Sequence, residues 1–384
     1  MTKRIIITNG LALFAMFFGA GNIIYPLALG AAASDHIGYV ILAFLISGIG
    51  LPFLGLYAIS LYNGDYWAFF SRLGKVPAFI LITFLVLIIG PLTCAPRTET
   101  VAFHSAQSFL PTGFNNPYVF SALYCLAIFL LMYRDTKIVD IIGRVLSPIK
   151  LALFGILIFA GIFTAENVTT NSTTISSAFL SGMKDGYGTM DLIAACFFCT
   201  VIYRSIVIKA KQIGITHQKD IARIFLYSCI IGGVILGLVY VGFMLLALTH
   251  ASQLQGIDKV EMIAAISNLV LGKYGSAFVA ICVSFACLVT AIALTEVTTG
   301  FFHEYLFMKK VPRVVCLLIS IVMTYAVSIL GFSKIMNFAL PILEVMYPIL
   351  IAYSVISIVM KLYSMKKEDR IALREPDPEL RIYS

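Results

Sequence analysis

The sequence predicts an all-α integral membrane protein of about ten transmembrane helices, arranged as two inverted repeats of five helices with the first and sixth helices discontinuous. Hydrophobic residues make up 60% of the 384 residues and charged residues only 12%, about half the charge of an average soluble domain. Two of the apolar segments carry clusters of helix-breaking residues. Such a pair at corresponding positions of two halves is typical of transporters with inverted repeats.

Ten apolar runs are candidates to cross a bilayer, which takes about 20 apolar residues. They cover residues 5–31, 37–62, 77–98, 117–133, 146–165, 178–208, 222–249, 274–300, 313–332 and 335–361. Each interrupted segment begins a set of five spans, which places the two halves in opposite topology. The predicted domains are a first repeat over residues 1–165, a second repeat over 166–361 and a cytoplasmic tail over 362–384.

The basic residues alternate between connecting segments. With the N-terminus in the cytoplasm, 22 of the 27 Lys and Arg residues fall on the cytoplasmic side, among them Lys150 at the start of the fifth span. This bias predicts an even number of spans with both termini cytoplasmic. It also accounts for the net charge of +8 without a nucleic-acid partner.

The first interrupted segment lies within a charge-free run, and its break consists of Gly19, Ala20, Gly21 and Asn22, followed by Pro26. Each glycine costs about 1 kcal/mol of helix propensity relative to alanine. The asparagine competes for backbone hydrogen bonds, and the proline removes an N–H. One interpretation is a seam of small residues for close helix packing. The other is an unwound segment lining a polar cavity, which the clustering of these residue types favours.

The second interrupted segment lies in the sixth span, and its break consists of Gly186, Tyr187, Gly188, Thr189 and Asp191. The apolar run that follows, residues 192–203, makes only about 18 Å of helix, which is too short to span alone. Two half-helices around a break therefore fit better than one rod. At the start of the second half, the carboxylate of Asp191 has two interpretations: it caps the helix, or it contacts a bound ammonium or cation.

A hard cation such as Na⁺ needs several oxygen ligands. The predicted Na⁺ ligands are the backbone around Gly19 and Asn22, the Thr290 hydroxyl and the Ala286 carbonyl one turn earlier. The alternative for Thr290 is a hydrogen bond back to its own helix.

Three ionisable residues within apolar runs are candidates for gating or proton coupling. Glu296 and Glu344 are predicted proton carriers, or else lie near a wet cavity or a polar partner. Arg97 is predicted near the outer surface, where it guards the outer mouth with Glu99 as a partner, or extends toward the headgroups. The eight cysteines lie almost all within apolar runs. Cys196 and Cys199 have the CxxC spacing, but they lie in an apolar helix without a nearby His or a second pair, so a metal or redox site is not expected.

Five motifs in order along the chain resemble those of the branched-chain amino acid:cation symporters, the BrnQ-like family. They are Phe17–Pro26, Gly90–Val101, Gly186–Asp191, Ala286–Ala291 and Tyr347–Pro348. Members of that family usually carry twelve spans rather than ten. An acidic residue expected just before Phe301 is Gly300 here, a departure that concerns the coupling ion rather than the substrate class.

The resemblance implies a LeuT/APC-type fold, a place in the bacterial cytoplasmic membrane, and uptake of leucine, isoleucine and valine with Na⁺ as the coupling ion and no other cofactor. The broken helices agree with a zwitterionic substrate. Free N–H groups near Gly21 suit its carboxylate, and freed carbonyls near Gly186, Tyr187 and Gly188 suit its ammonium. A proton-coupled carrier and a transporter-like nutrient sensor are the alternatives. An enzyme is not expected, because no nucleophile–base pair or metal cluster lies at membrane depth.

Overall fold

The computed structural model describes residues 2–133, 137–164 and 171–372. Within these ranges the regular structure is helical, and the one β-bridge pairs Ser34 with Asn171. The prediction of an all-α fold is confirmed. The predicted repeat boundary at residues 165 and 166 and the end of the tail, residues 373–384, lie outside the described residues.

The described residues form sixteen α-helices. The first repeat of the prediction contains α1 Thr2–Phe17, α2 Gly21–Ala31, α3 Ile37–Leu45, α4 Leu51–Ser60, α5 Tyr66–Phe70, α6 Lys75–Leu87, α7 Cys94–Ala106, α8 Pro117–Tyr133 and α9 Lys137–Phe163. The second contains α10 Ile175–Gly188, α11 Asp191–Gln212, α12 Gln218–Thr249, α13 Ala251–Leu254, α14 Met262–Phe301, α15 Arg313–Ser328 and α16 Phe332–Ala372.

Length and composition identify the helices that can cross a membrane. Six continuous helical stretches pass: Ile37–Ser60, Lys75–Phe109, Asp191–Gln212, Gln218–Thr249, Met262–Leu306 and Phe332–Ser364. Helices α1 and α2 pass together as a broken span bent by 68°. Three shorter apolar helices are Pro117–Tyr133, Pro148–Phe163 and Arg313–Ser328. The chain is thus a multi-pass membrane protein.

Two spans continue through π-helical turns. Residues Ile46–Gly50 join α3 to α4, and residues Ile88–Leu92 lead from α6 toward α7. In the second case Gly90 and Thr93 leave the helical region of backbone conformation, so α7 starts afresh at Cys94. The third span therefore contains a helix start in its middle, which decides where Arg97 lies.

The interrupted helices lie at the centre of the packing. Helices α1 and α2 pack on α12, while α10 packs on α3 and α11 packs on α4. Helix α14 packs along α7 and α9. Large apolar side chains such as Phe159, Leu238 and Phe278 point outward and are more than half exposed, as expected of faces toward lipid.

The segments that flank the breaks are also tied together. The Asp35 carboxylate, after α2, accepts hydrogen bonds from the backbone N–H and hydroxyl of Thr173, before α10, at 3.0 and 2.9 Å. These bonds stabilise the charged form and lower the pKa of Asp35.

Candidate functional site

The first break separates α1 from α2 by three residues, Phe18 to Ala20. The side-chain oxygen of Asn22 accepts the Gly19 N–H at 3.1 Å and thereby holds the turn. The N–H groups of Gly21 and Asn22 begin α2 and make no hydrogen bond to the described residues. Free N–H groups at a helix N-terminus form a ready site for an anion.

The second break separates α10 from α11 at Thr189 and Met190. Met190 adopts a left-handed backbone conformation with φ of 66°. The Thr189 hydroxyl donates to the Gly186 carbonyl at 2.8 Å, and the Met190 N–H donates to the Tyr187 carbonyl at 3.0 Å. The carbonyls of Gly186 and Tyr187, which we predicted to be free for an ammonium group, are therefore used by the turn itself.

A polar cluster joins the two breaks. The Asn22 amide donates to the Asp191 carboxylate at 2.6 Å, and the Tyr240 hydroxyl of α12 donates to the same oxygen at 3.0 Å. Asn22 also contacts the Tyr240 hydroxyl. All three side chains are buried. Met190 holds the cap position of α11 and makes no side-chain cap bond, so the capping interpretation of Asp191 is wrong. Its carboxylate instead links the sixth span to the first and seventh.

Sequence reasoning missed Tyr240. It lies in the apolar helix α12 without a neighbouring motif, and a hydroxyl in such a run is most simply read as an amphipathic residue near a membrane surface. The available signal was weak: a phenol deep within a largely apolar span needs a hydrogen-bond partner.

Arg97 lies between the breaks rather than at the outer mouth. Its guanidinium donates to the Gly188 carbonyl at 2.5 Å and to the Thr189 carbonyl at 3.1 Å, and it is only 1% exposed. Both the outer-mouth and the headgroup interpretations are wrong, because α7 begins at Cys94 and places Arg97 in its first turn at the centre of the protein. The predicted pairing with Glu99 is also wrong, since that side chain points toward Cys125 of α8.

The first break and Arg97 are in close contact. A methyl group added at Gly21 would lie 2.7 Å from a terminal nitrogen of Arg97. One added at Gly19 would lie 2.9 Å from the Thr290 side chain. These glycines therefore leave no free space for a side chain, which is the physical reason for glycine at both positions.

A small cavity lies where these elements meet. Its lining combines polar residues of both breaks with apolar residues of α1, α11 and α14: Met16, Phe17, Gly19, Ala20, Asn22, Cys94, Arg97, Thr98, Thr189, Asp191, Ala194, Phe198, Thr290 and Leu294. Six of the predicted site residues thus line one space together with Arg97. The space amounts to only about 10 Å³, room for about one water molecule, so a larger ligand requires the lining elements to move apart.

Three predicted residues of the second break serve packing instead of lining the cavity. A side chain at Gly186 would collide with Ser47, and one at Gly188 would collide with the Tyr25 ring. The Tyr187 ring lies 4.5 Å from the Tyr347 ring, centre to centre. These contacts fix the end of α10 against its neighbours.

The predicted Na⁺ ligands lie near each other, and hydrogen bonds link them in pairs. The Thr290 hydroxyl donates to the Ala286 carbonyl at 3.2 Å, the alternative bond that its position allowed. The Asn22 oxygen accepts the Gly19 N–H. A hydroxyl that donates keeps its lone pairs for a cation, and the Gly19 carbonyl accepts no backbone hydrogen bond from the described residues. Na⁺ binding here therefore stays a prediction.

Lys150 lies deep in the protein rather than at a cytoplasmic boundary. Helix α9 begins at Lys137, so Lys150 is more than three turns into it and only 2% exposed. Its ammonium donates to the Phe18 carbonyl at the first break, at 3.4 Å. Counting it among the cytoplasmic residues was therefore wrong.

The two acids proposed as proton carriers lie away from the breaks. Glu344 pairs with Lys184 at 3.0 Å, and Glu296 pairs with Arg313. All four side chains are about half exposed. The carboxyl that is buried instead is Glu99, which is 0% exposed and has one oxygen without a hydrogen-bond partner.

Comparison with known sequences gives one matching family, described as "Branched-chain amino acid transport protein", over residues 2–373. The branched-chain amino acid permease BrnQ of Escherichia coli K12 is 32% identical over 368 residues, which covers 93% of this chain and 81% of that protein. The permease BrnQ of Bacillus subtilis 168 is 29% identical over 382 residues, which covers 96% and 85%.

Comparison with solved structures identifies the fold. Mhp1, a nucleobase-cation-symport-1 family transporter, has a TM-score of 0.60 at 16% identity, covering 90% of this chain and 77% of Mhp1. The similarity at this identity concerns the fold alone, and the expected LeuT-type transporter architecture is confirmed.

Proposed function

The chain belongs to the family of branched-chain amino acid transport proteins, and on this premise we propose that it carries leucine, isoleucine and valine across the bacterial cytoplasmic membrane in symport with a cation. The family membership makes it a transport protein rather than an enzyme. The choice of site rests on the cavity that the two breaks share. Its lining contains two groups of opposite charge, the guanidinium of Arg97 and the carboxylate of Asp191.

The substrate's carboxylate is placed at the N-terminus of α2. There the N–H groups of Gly21 and Asn22 have no partner among the described residues, and the positive end of the helix dipole favours an anion. Arg97 lies against Gly21 and supplies a guanidinium, whose planar shape matches a carboxylate.

The ammonium is placed at the second break. Asp191 offers a carboxylate there, and the Gly188 and Thr189 carbonyls offer oxygens. In the structure those two carbonyls accept hydrogen bonds from Arg97. When Arg97 turns toward a substrate carboxylate it releases them, so that one side-chain movement prepares both ends of the binding site.

The aliphatic side chain is placed against the apolar lining, which includes Phe17, Phe198 and Leu294. A hydrophobic pocket discriminates one methylene by only about 10- to 200-fold. Leucine, isoleucine and valine should therefore compete with each other, whereas a charged side chain would be left unpaired.

Two cations are candidates for the symport. Na⁺ was predicted on Gly19, Asn22, Ala286 and Thr290, and it stays a candidate at those oxygens. The proton is favoured by Glu99, a fully buried carboxyl with no ion pair among the described residues, which faces the Cys125 thiol and the hydroxyls of Ser121 and Ser328. Such a group within a membrane is costly unless it carries a proton.

The test is uptake of labelled leucine by the purified protein in liposomes, with Na⁺ and pH gradients imposed separately. We expect uptake that unlabelled isoleucine and valine suppress and that lysine and glutamate leave unchanged. If none of the three branched amino acids is taken up under either gradient, or if a charged amino acid is preferred, the proposed function is wrong. A separate experiment tests the orientation with both termini in the cytoplasm: it measures protease access to the C-terminal tail in sealed vesicles.

A further inference from the structure

A buried lysine ends at the break of the first span. Lys150 reaches from α9 to the stacked rings of Phe14 and Phe18, whose centres lie 5.4 and 5.2 Å from the ammonium. The ammonium donates a hydrogen bond to the Phe18 carbonyl. No carboxylate forms an ion pair with it in the part of the chain that the structure describes. The titratable groups that face it are the thiols of Cys282 and Cys287 on α14.

An ammonium without a carboxylate partner is tolerated in a protein interior only where other groups stabilise the charge. The break provides such groups. The Phe18 N–H still bonds to the Phe14 carbonyl, so the helical geometry of α1 continues to Phe18, and the Phe18 carbonyl is then left without a backbone N–H donor. The free carbonyls at the end of a helix carry the negative end of its dipole, and a cation is favoured there. The faces of the two phenylalanine rings add cation–π attraction.

The same place is where a coupling ion was predicted. Phe18 precedes Gly19, and Cys287 follows Ala286, so the ammonium lies beside the two chain segments that carry the predicted Na⁺ oxygens. Two cations within a few ångströms repel each other strongly in a site that excludes water. With Lys150 in place, the break of the first span already has its positive charge.

We infer that Lys150 supplies from within the chain the cation that the break of the first span requires, and that this position works without bound Na⁺. The role of Lys150 at the break does not depend on what the protein transports. One consequence rests on the proposed function: in a symporter, this lysine favours the proton over Na⁺ as the coupling ion.

The first measurement therefore omits the amino acid. Thermal unfolding of the detergent-purified full chain is followed in NaCl and in N-methylglucamine chloride of equal ionic strength. We expect the same Tm for the wild type in both salts. Lys150→Ala removes the ammonium and opens space beside the Phe18 carbonyl, and its Tm should rise with Na⁺ concentration, because a ligand stabilises the state that it binds. Lys150→Arg keeps the charge and should behave as the wild type.

Lys184→Ala is the matched control, because it removes a half-exposed lysine that pairs with Glu344 and makes no contact with the Phe18 carbonyl. Its Tm should not depend on Na⁺. If Lys150→Ala does not fold, Lys150→Thr is measured in the same way. Its hydroxyl adds an oxygen where the ammonium was. A wild-type protein that Na⁺ stabilises, or a Lys150→Ala protein that it does not, overturns the inference.

The second measurement adds leucine. Apparent leucine affinity of the wild type should change less than about twofold on removal of Na⁺. For Lys150→Ala it should fall by about tenfold or more without Na⁺ and recover with it, within the usual range of coupling between two sites. Absence of leucine binding in every salt would reject the proposed function, whereas the Na⁺-dependent Tm of the first measurement would still decide the role of Lys150.

Discussion

Replacement of Gly21 by alanine separates a binding break from a packing seam. The added methyl group would lie 2.7 Å from a terminal nitrogen of Arg97 and 3.1 Å from its central carbon. Van der Waals contact starts at about 3.5 Å, so the guanidinium must retreat by about 0.8 Å. Its hydrogen bond to the Thr189 carbonyl is already 3.1 Å long and would be lost. A hydrogen bond to a charged group contributes about 1.5–3 kcal/mol.

Part of this loss is offset. Alanine is favoured over glycine in a helix by about 1 kcal/mol, so the free energy of unfolding of Gly21→Ala should decrease by only about 0.5–2 kcal/mol. Leucine binding should suffer more, because the methyl group also displaces the guanidinium that meets the substrate carboxylate. Gly155→Ala is the matched control: nothing lies within 4 Å of its added methyl group, and it should be neutral or stabilising.

The assay is the increase in Tm that saturating leucine gives to each detergent-purified variant. A ligand at about 100 times its Kd stabilises the wild type by about 2.7 kcal/mol. Gly155→Ala should keep this increase, and Gly21→Ala should lose most of it while still unfolding cooperatively. If Gly21→Ala keeps the full increase, residues 17–26 form an ordinary packing seam, and the placement of the substrate carboxylate is refuted.

Three further predictions concern the groups around the breaks. Arg97→Lys keeps the charge but loses the planar pair of N–H donors that bond to the Gly188 and Thr189 carbonyls. Leucine affinity measured by equilibrium binding should therefore fall at least about tenfold, and unchanged affinity would show that Arg97 does not bind the substrate. Tyr240→Phe removes one donor to Asp191 and should lower the free energy of unfolding by about 1–2 kcal/mol in denaturant titrations, while Tyr227→Phe on the exposed face of the same helix should not, and equal effects would contradict the polar cluster. Glu99→Gln should abolish the response of leucine uptake to a pH gradient while leucine exchange continues, with Glu344→Gln as the control that retains both; a Glu99→Gln protein that still responds to the gradient would exclude Glu99 as the proton carrier.

The sequence predicts the helical fold well because the signals for it are local. A run of apolar residues long enough for a bilayer has few alternatives to a helix, since every backbone group must be satisfied within the segment. The clusters at Gly19–Asn22 and Gly186–Asp191 predict interruptions for the same local reason. Both interruptions lie in the structure within three residues of the predicted positions, between Phe17 and Gly21 and between Gly188 and Asp191.

The partners within the site are set by tertiary structure and could not be predicted. Asn22 and Asp191 are 169 positions apart, and the local sequence around Asp191 suits a helix cap equally well. Arg97 and Lys150 were both placed by counting residues from the ends of apolar runs. That count fails for Arg97 because a π-helical turn divides its span, and for Lys150 because α9 starts nine residues before the predicted span.

The two errors have a common physical basis that bears on how the protein works. A prediction from hydropathy places a positive charge at a membrane surface, because a regular transmembrane helix has no free hydrogen-bond acceptor in the interior. A broken helix differs, since it exposes backbone carbonyls at its centre. Each break here is met by one buried cation: Phe18 by Lys150, and Gly188 with Thr189 by Arg97. Neither cation belongs to the span that it stabilises. Helix α7 therefore cannot tilt without disturbing the second break, nor α9 without disturbing the first. Any movement that opens the cavity must exchange these hydrogen bonds for others, and a zwitterionic substrate supplies the groups for that exchange.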